Sequence, residues 1–180
     1  MGMSLTNSTT VPVYINSIGD EVQITAKAGT VNTISDGTTH SQTYIDSDGQ
    51  SSAVEGAIFA RDDIKFKGTG SLTVNGNQGD AIVCKNDIKI YNGNITVNAQ
   101  DDDIRGKDSV TIGDSTKSDG SAADNSNLKL TVNSKAGDGI KSTAAGASPA
   151  LTAVMTSGSS SAARASRLAA ARAISSAISR

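Results

Sequence analysis

The sequence predicts an all-β protein wound as a three-sided parallel β-helix, and three observations carry that prediction. The first is self-similarity: the phrase running from Gly56 through Ile58 and Ile64 to Phe66 is written again from Asp80 to Ile90 and again from Asp102 to Ile112, at offsets of 24 and then 22 residues. Repeats of this length mark a solenoid or array. The second is a companion phrase, Leu72-Thr73-Val74-Asn75-Gly76, which returns as Ile95-Thr96-Val97-Asn98-Ala99 and as Leu130-Thr131-Val132-Asn133-Ser134. The third is the local period. Apolar residues alternate within each copy, as in Ile58 and Ala60, Ile64 and Phe66, Leu72 and Val74, which means strands with one face buried and no room for a helix. Each copy then supplies three short strands separated by turns rich in Gly, Asn and Asp, and the chain holds about four to five such coils, an incomplete solenoid.

Stacking at the strand spacing of about 4.8 Å puts equivalent residues in columns. The inward columns read Ile58/Ile82/Ile104/Ile140, Ile64/Ile88/Val110, Phe66/Ile90/Ile112, Leu72/Ile95/Leu130 and Val74/Val97/Val132, the aliphatic and β-branched filling that a stacked core needs. Asn75, Asn98 and Asn133 recur at what reads as a turn of each coil, an asparagine ladder whose amides can bond the coils above and below. Cys84 is the sole cysteine. It excludes an internal disulfide and a multi-cysteine metal site, and in the column of Ala60 and Gly106 it reads as a small core residue.

With 180 residues, 36% hydrophobic and 3% aromatic, a single domain with a thin, elongated core is expected. The formal charge of −2 is too balanced to imply nucleic acid, and no apolar run has membrane-spanning length. No signal peptide is recognisable, and the start at Met1-Gly2-Met3-Ser4 reads as introduced or as a fragment's beginning, so a parent protein could carry an export sequence.

In order along the chain, residues 1–10 are expected to be disordered or introduced. Residues 11–143 are expected to form the β-helix domain, opening with strands at Val11–Ile15, Glu21–Thr25 and Gly29–Ile34. Residues 35–50 read as a polar surface loop. Its Asp46, Asp48, Gly49 and Glu55 approximate an EF-hand, but Tyr44 stands at the first ligand position and the flanks are strands, which excludes that motif. A second polar insertion, residues 113–127, lengthens the fourth repeat. Residues 144–180 form an Ala/Ser/Arg-rich tail holding four arginines and no acid. On a helical wheel its Arg164 and Arg167 share a side with Leu168, Ile174 and Ile178, so no regular cap is expected, and self-association through the open solenoid end is.

A solenoid displays chemistry in columns. Asp80, Asp102 and Asp138 stack, with Asp101 and Asp103 beside the middle one. A second acidic column runs through Asp62 and Asp108, next to Asp63 and Asp87. Two carboxylates one coil apart repel by roughly 1 kcal/mol in water, and calcium, which takes six to eight oxygens, would offset that and raise the melting temperature. The alternative is that these are turn aspartates bonding their own backbone. Cations line up as well: Arg61, Lys85 and Lys107, then Arg105 and Lys141, then Lys65 and Lys89. Such a ladder could match the carboxylates of an extended acidic polymer or be a plain solvated face. His40, the only histidine, sits in the first polar insertion, so a Ser/His/Asp set is not expected.

The runs Ala57–Ile64, Gly68–Asn77, Gly79–Ile90, Asp101–Val110 and Gly137–Ser142 closely resemble the bacterial β-helix family of carbohydrate-binding domain-containing proteins, over roughly residues 11–143. The resemblance implies a secreted or cell-surface right-handed parallel β-helix, similar in fold to pectate lyases, that binds calcium and an acidic polysaccharide such as polygalacturonate. This chain departs from the family's Asp-Asp-Gly-Ile at Asp101-Asp102-Asp103-Ile104, where Asp103 replaces a turn glycine. A polysaccharide lyase would need a basic residue beside the sugar, for which Arg105 and Lys107 are the candidates. An ice-binding solenoid would need paired threonine ladders, and only Thr73/Thr96/Thr131 recurs. A purely structural surface solenoid fits the repeats but leaves the charge columns without a role. With no Trp, sugar contacts are expected to be ionic rather than aromatic.

Overall fold

The computed structural model describes residues 1–16, 19–113, 121 and 124–143. In chain order, β1 (Ser4–Thr6) precedes a first full turn made of β2 (Val13–Ile15), β3 (Val22–Ala26) and β4 (Val31–Ser35). A hairpin follows, β5 (Thr43–Ile45) and β6 (Ser51–Ala53). Then come β7 (Ile58–Ala60), β8 (Ile64–Gly68), β9 (Ser71–Gly76), and β10 (Ile82–Cys84), β11 (Asp87–Ile90), β12 (Gly93–Ala99). The last described strands are β13 (Ile104–Gly106), β14 (Ser109–Ile112), β15 (Leu128–Ser134) and β16 (Ile140–Ser142). No helix occurs among the described residues.

Three sheets collect all of these strands except the hairpin pair: β1-β4-β9-β12-β15, β16-β13-β10-β7-β2, and β14-β11-β8-β3. Every pair in them is parallel. Successive strands visit the second, third and first sheet in rotation, a solenoid-like fold. The register matches the predicted columns: Ile58, Ile82, Ile104 and Ile140 are aligned, as are Ile64, Ile88 and Val110, and Val74, Val97 and Val132. Inward side chains of all three sheets meet in one buried core, each worth about 1.5–3 kcal/mol when fully buried. Cys84 lies in that core between Ala60 and Gly106, and burial pushes its thiol up to about 12. Gly68, at φ 103°, makes the corner between β8 and β9; a Cβ there would collide with the Ala26 carbonyl oxygen, so the corner requires glycine.

Three expectations are corrected. Residues 1–10 are not wholly unordered, because β1 adds to the edge of β4 and aligns Leu5 with Ile34; a single apolar residue in a Ser/Thr run carries no visible period. The polar segment 35–50 is not a plain loop, since Thr43–Ile45 pairs antiparallel with Ser51–Ala53. Asp46 builds its turn, with Oδ1 accepting the N–H groups of Asp48 (3.0 Å) and Gln50 (2.8 Å) and Oδ2 accepting the Ser52 hydroxyl (2.8 Å). The asparagine ladder lies on the outward face of β9, β12 and β15 rather than in a turn: Asn133 Nδ2 donates to Asn98 Oδ1 (2.7 Å), Asn98 Nδ2 to Asn75 Oδ1 (2.8 Å), and Asn75 Nδ2 to Ser35 Oγ (2.8 Å). Most of the second insertion and the whole tail, residues 144–180, lie outside the described residues.

Candidate functional site

The corner between the first and second sheets carries the column Asp80, Asp102, Asp138, and a single device repeats along it. Asp80 Oδ1 accepts the backbone N–H of Asp102 (3.0 Å), and Asp102 Oδ1 accepts that of Asp138 (2.8 Å). The second oxygen meets a cation three residues further on in the next coil: Asp80 Oδ2 pairs with Arg105 Nε (2.8 Å) and Asp102 Oδ2 with Lys141 Nζ (2.9 Å). Glu55 also binds the Arg105 guanidinium. Each aspartate is thus a staple between coils. Burial raises the Asp80 carboxyl from its usual range, against the pull of Arg105; Arg105 is raised in turn by Glu55 and Asp80 despite its desolvation, so it stays a cation and cannot accept a proton.

The second acidic column uses the same chemistry. Asp63 Oδ1 accepts the Asp87 N–H (3.2 Å) and Oδ2 holds Lys89 (3.0 Å), while Asp87 Oδ1 accepts the Ser109 hydroxyl (2.7 Å). Glu21 bridges Lys65 (2.6 Å) and Lys89 (3.2 Å). Asp62 Oδ2 accepts the Gly19 N–H (3.0 Å). Asp101, Asp108 and Asp138 are exposed. Asp103 does not face Asp80 at all. The turn just before β13 carries it inward, into a position held by Ala57 and Ala81 in earlier coils and by Gly139 in the next, and it is fully buried. Neither of its oxygens has a hydrogen-bond partner among the described residues, and burial pushes its carboxyl up to about 7.

Calcium is not required to balance the charge in these columns. The repulsion it would offset is already balanced by backbone N–H groups, Arg105, Lys141 and Lys89, and no three His, Cys, Asp or Glu side chains among the described residues are grouped to hold a metal ion.

Of the predicted cations, four are spent: Lys65, Lys89, Arg105 and Lys141 hold carboxylates. Arg61, Lys85 and Lys107 differ. Their backbone N–H groups bond in sequence to Ile15, Ala60 and Cys84, so they stack in one column where the chain leaves the second sheet, and no ion pair engages them among the described residues. Arg61 bonds Asn16 Oδ1 (3.0 Å) and lies 5.1 Å from the Tyr44 ring. Lys85 lies 5.7 Å from the Phe59 ring and 5.9 Å from that of Tyr44; desolvation and then the nearby Arg105 charge lower its pKa. Lys107 is exposed.

Sequence reasoning missed two features, one of them beside this column. The β5–β6 hairpin folds over the outer face of the second sheet, where Val11, Val54, Phe59 and Val83 form a second buried cluster with Tyr14 and Tyr44 packed on it. The outward apolar pair Phe59 and Val83, adjoining inward Ile58 and Ile82, was the available signal. His40 is not in an open loop either: its side chain is 2% exposed and its Nε2 lies 3.3 Å from Asp36 Oδ2. Asp36 is raised by burial, opposed by the Asn77 N–H and by His40.

Comparison with known proteins follows the same lines. The description "Carbohydrate-binding domain-containing protein" matches over residues 1–167. A protein of that description from Acetivibrio thermocellus is 40% identical over 98 residues, 54% of this chain but 32% of that relative's length. The solved structure of a polysaccharide lyase-like protein from C. thermocellum, a gadolinium derivative, superposes with a TM-score of 0.56 at 26% identity, covering 89% of this chain and 74% of that one. The chain belongs to the carbohydrate-binding domain-containing family.

Proposed function

We propose that this chain binds acidic polysaccharide of the polygalacturonate kind at a cell surface, along Arg61, Lys85 and Lys107 on a right-handed three-sided parallel β-helix. One observation supports it most: in a chain whose other candidate cations are committed to carboxylates, these three are stacked at coil spacing, about 4.8 Å, and make no close ion pair among the described residues, with Asp46, Glu55 and Asp80 acting on Arg61 and Lys85 only at longer range. An extended polymer with a carboxylate on each ring can meet them in turn, and the family match favours a sugar polymer over other polyanions.

The test is calorimetric titration of polygalacturonate, with and without calcium, while ultraviolet absorbance follows unsaturated product. Binding without product supports a binding module. The polysaccharide lyase-like neighbour favours a second reading, lyase activity, and a steady rise in absorbance would establish it. Lys85→Ala with Lys107→Ala should weaken binding by roughly tenfold at low salt, as expected for two exposed ion pairs, and flatten its salt dependence. Unchanged affinity across salt would return this column to an ordinary solvated face.

A further inference from the structure

A different part of the molecule has the chemistry of a second site. Between the outward end of the first sheet and the turns that lead to the second lies a cleft of about 360 Å³, walled by Asn77, Asn98, Gln100, Asn133 and Lys135. Its side chains are held before any ligand arrives. Asn98 and Asn133 are fixed by the amide ladder. Asn77 is fixed at both ends by the buried Asp36, whose Oδ1 accepts the Asn77 N–H (2.5 Å) and whose carbonyl accepts Asn77 Nδ2 (2.7 Å). Gln78, next in chain, is tied to His40 by its own amide. Lys135 donates to Gln100 Oε1 (3.1 Å).

These bonds leave a defined remainder. Among the described residues no hydrogen bond engages Asn133 Oδ1, Gln100 Nε2 or Asn77 Oδ1, so the residues that line the cleft keep two acceptors and a donor uncommitted. The outward residues beside the cleft are Thr73, Thr96 and Thr131, aligned with one another, and β9, β12 and β15 carry no carboxylate. A preorganised set of neutral donors and acceptors loses little rotamer freedom on binding and suits hydroxyl groups, which both donate and accept. It offers little to a carboxylate, with only Lys135 charged on its wall.

We infer that this cleft is a second polysaccharide subsite, one that reads ring hydroxyls rather than carboxylates. It rests on the carbohydrate-binding reading but not on the Arg61/Lys85/Lys107 column. The amides orient a sugar ring across the corner of the solenoid, and the interaction is insensitive to salt because no charge is neutralised.

Affinity electrophoresis of the full chain through gels containing polygalacturonate or its fully methyl-esterified, uncharged form separates the two sites, at low and high sodium chloride. The wild type should be retarded by the esterified polymer equally at both salt concentrations. Gln100→Ala with Asn133→Ala should lose that retardation by about tenfold while keeping salt-sensitive binding to polygalacturonate, and Lys85→Ala with Lys107→Ala should do the reverse. Asn133→Ala alone, at the exposed end of the ladder, should lose part of it with an unchanged melting curve. Wild-type binding to the acidic polymer but not the esterified one overturns this inference and leaves the cation column standing. Equal retardation of wild type and Gln100→Ala/Asn133→Ala by the esterified polymer also overturns it, and binding to neither polymer overturns both readings.

Discussion

Asp103 shows what one residue can cost a solenoid. Its carboxyl occupies an inward column where neighbouring coils place alanine or glycine, fully buried and with no well-formed hydrogen bond among the described residues; burial drives its pKa up, and the nearby backbone N–H groups of Asn133 and Ala99 oppose that only in part. A folded value near 7 lies above the unfolded carboxylate value of about 3.9. The folded protein therefore holds a proton that the unfolded chain releases between those two values, so this residue's contribution is most favourable below about pH 4, declines as pH rises to about 7, and is constant above. Asp103→Ala, matching Ala57 and Ala81, should stabilise the protein by an amount that grows across that window and reaches at most about 4 kcal/mol. Thermal melts of both proteins from pH 4 to 8 measure it. A difference that is flat with pH would mean the carboxyl is ionised or solvated. Asp80 and Asp36 shift in the same direction and are unchanged between the two proteins, so they cancel.

At the level of elements, the hairpin is the part that the repeat does not explain. Its β5–β6 pair brings Tyr44 to 5.0 Å from Phe59 and sets the ring beside both Arg61 and Lys85. It covers an otherwise exposed apolar stripe and braces two of the three column cations. Tyr44→Ala should cost about 2–4 kcal/mol, somewhat under the range for a buried aromatic because the ring is half-exposed, and should weaken polygalacturonate binding as Arg61 and Lys85 lose their support. A denaturant titration together with the binding assay checks both; a stability loss with intact affinity would confine the hairpin to a structural role. The Asp–Arg and Asp–Lys staples act between elements in the same way, linking β10 to β13 and β13 to β16 by side chains as well as by backbone.

For the whole molecule, the staples change what metal removal should do. Calcium was expected to relieve carboxylate repulsion, but cations and N–H groups of the chain already do so. A ligand bound only to the folded state must raise its melting temperature, so melts in excess calcium and in excess chelator should coincide within about 1 °C, given that about 1 kcal/mol moves the midpoint of a chain this size by several degrees. A clear rise in calcium would show that carboxylates such as the exposed Asp101 and Asp138 regroup around the ion. Among the described residues β14, β15 and β16 end their sheets, leaving the strand edges on which the expected self-association would depend.

The repeat and the alternation determined by themselves the all-β class, the parallel stacking and the register of every core column, because a side-chain period of two and a coil length of 22 to 24 residues leave one way to bury Ile58, Ile82 and Ile104 together. They also placed the acidic and basic columns. What they could not determine was which charges cancel. Asp80 and Arg105 are 25 residues apart, and only the stacked coils bring them within 2.8 Å, turning two candidate sites into one staple and leaving Arg61, Lys85 and Lys107 as the candidate cations without an ion pair among the described residues. The packing of Tyr44 on Phe59 and the burial of His40 against Asp36 were likewise decided by tertiary structure. Each depends on contacts between segments outside the repeat or between coils, where local sequence carries no period from which to infer them.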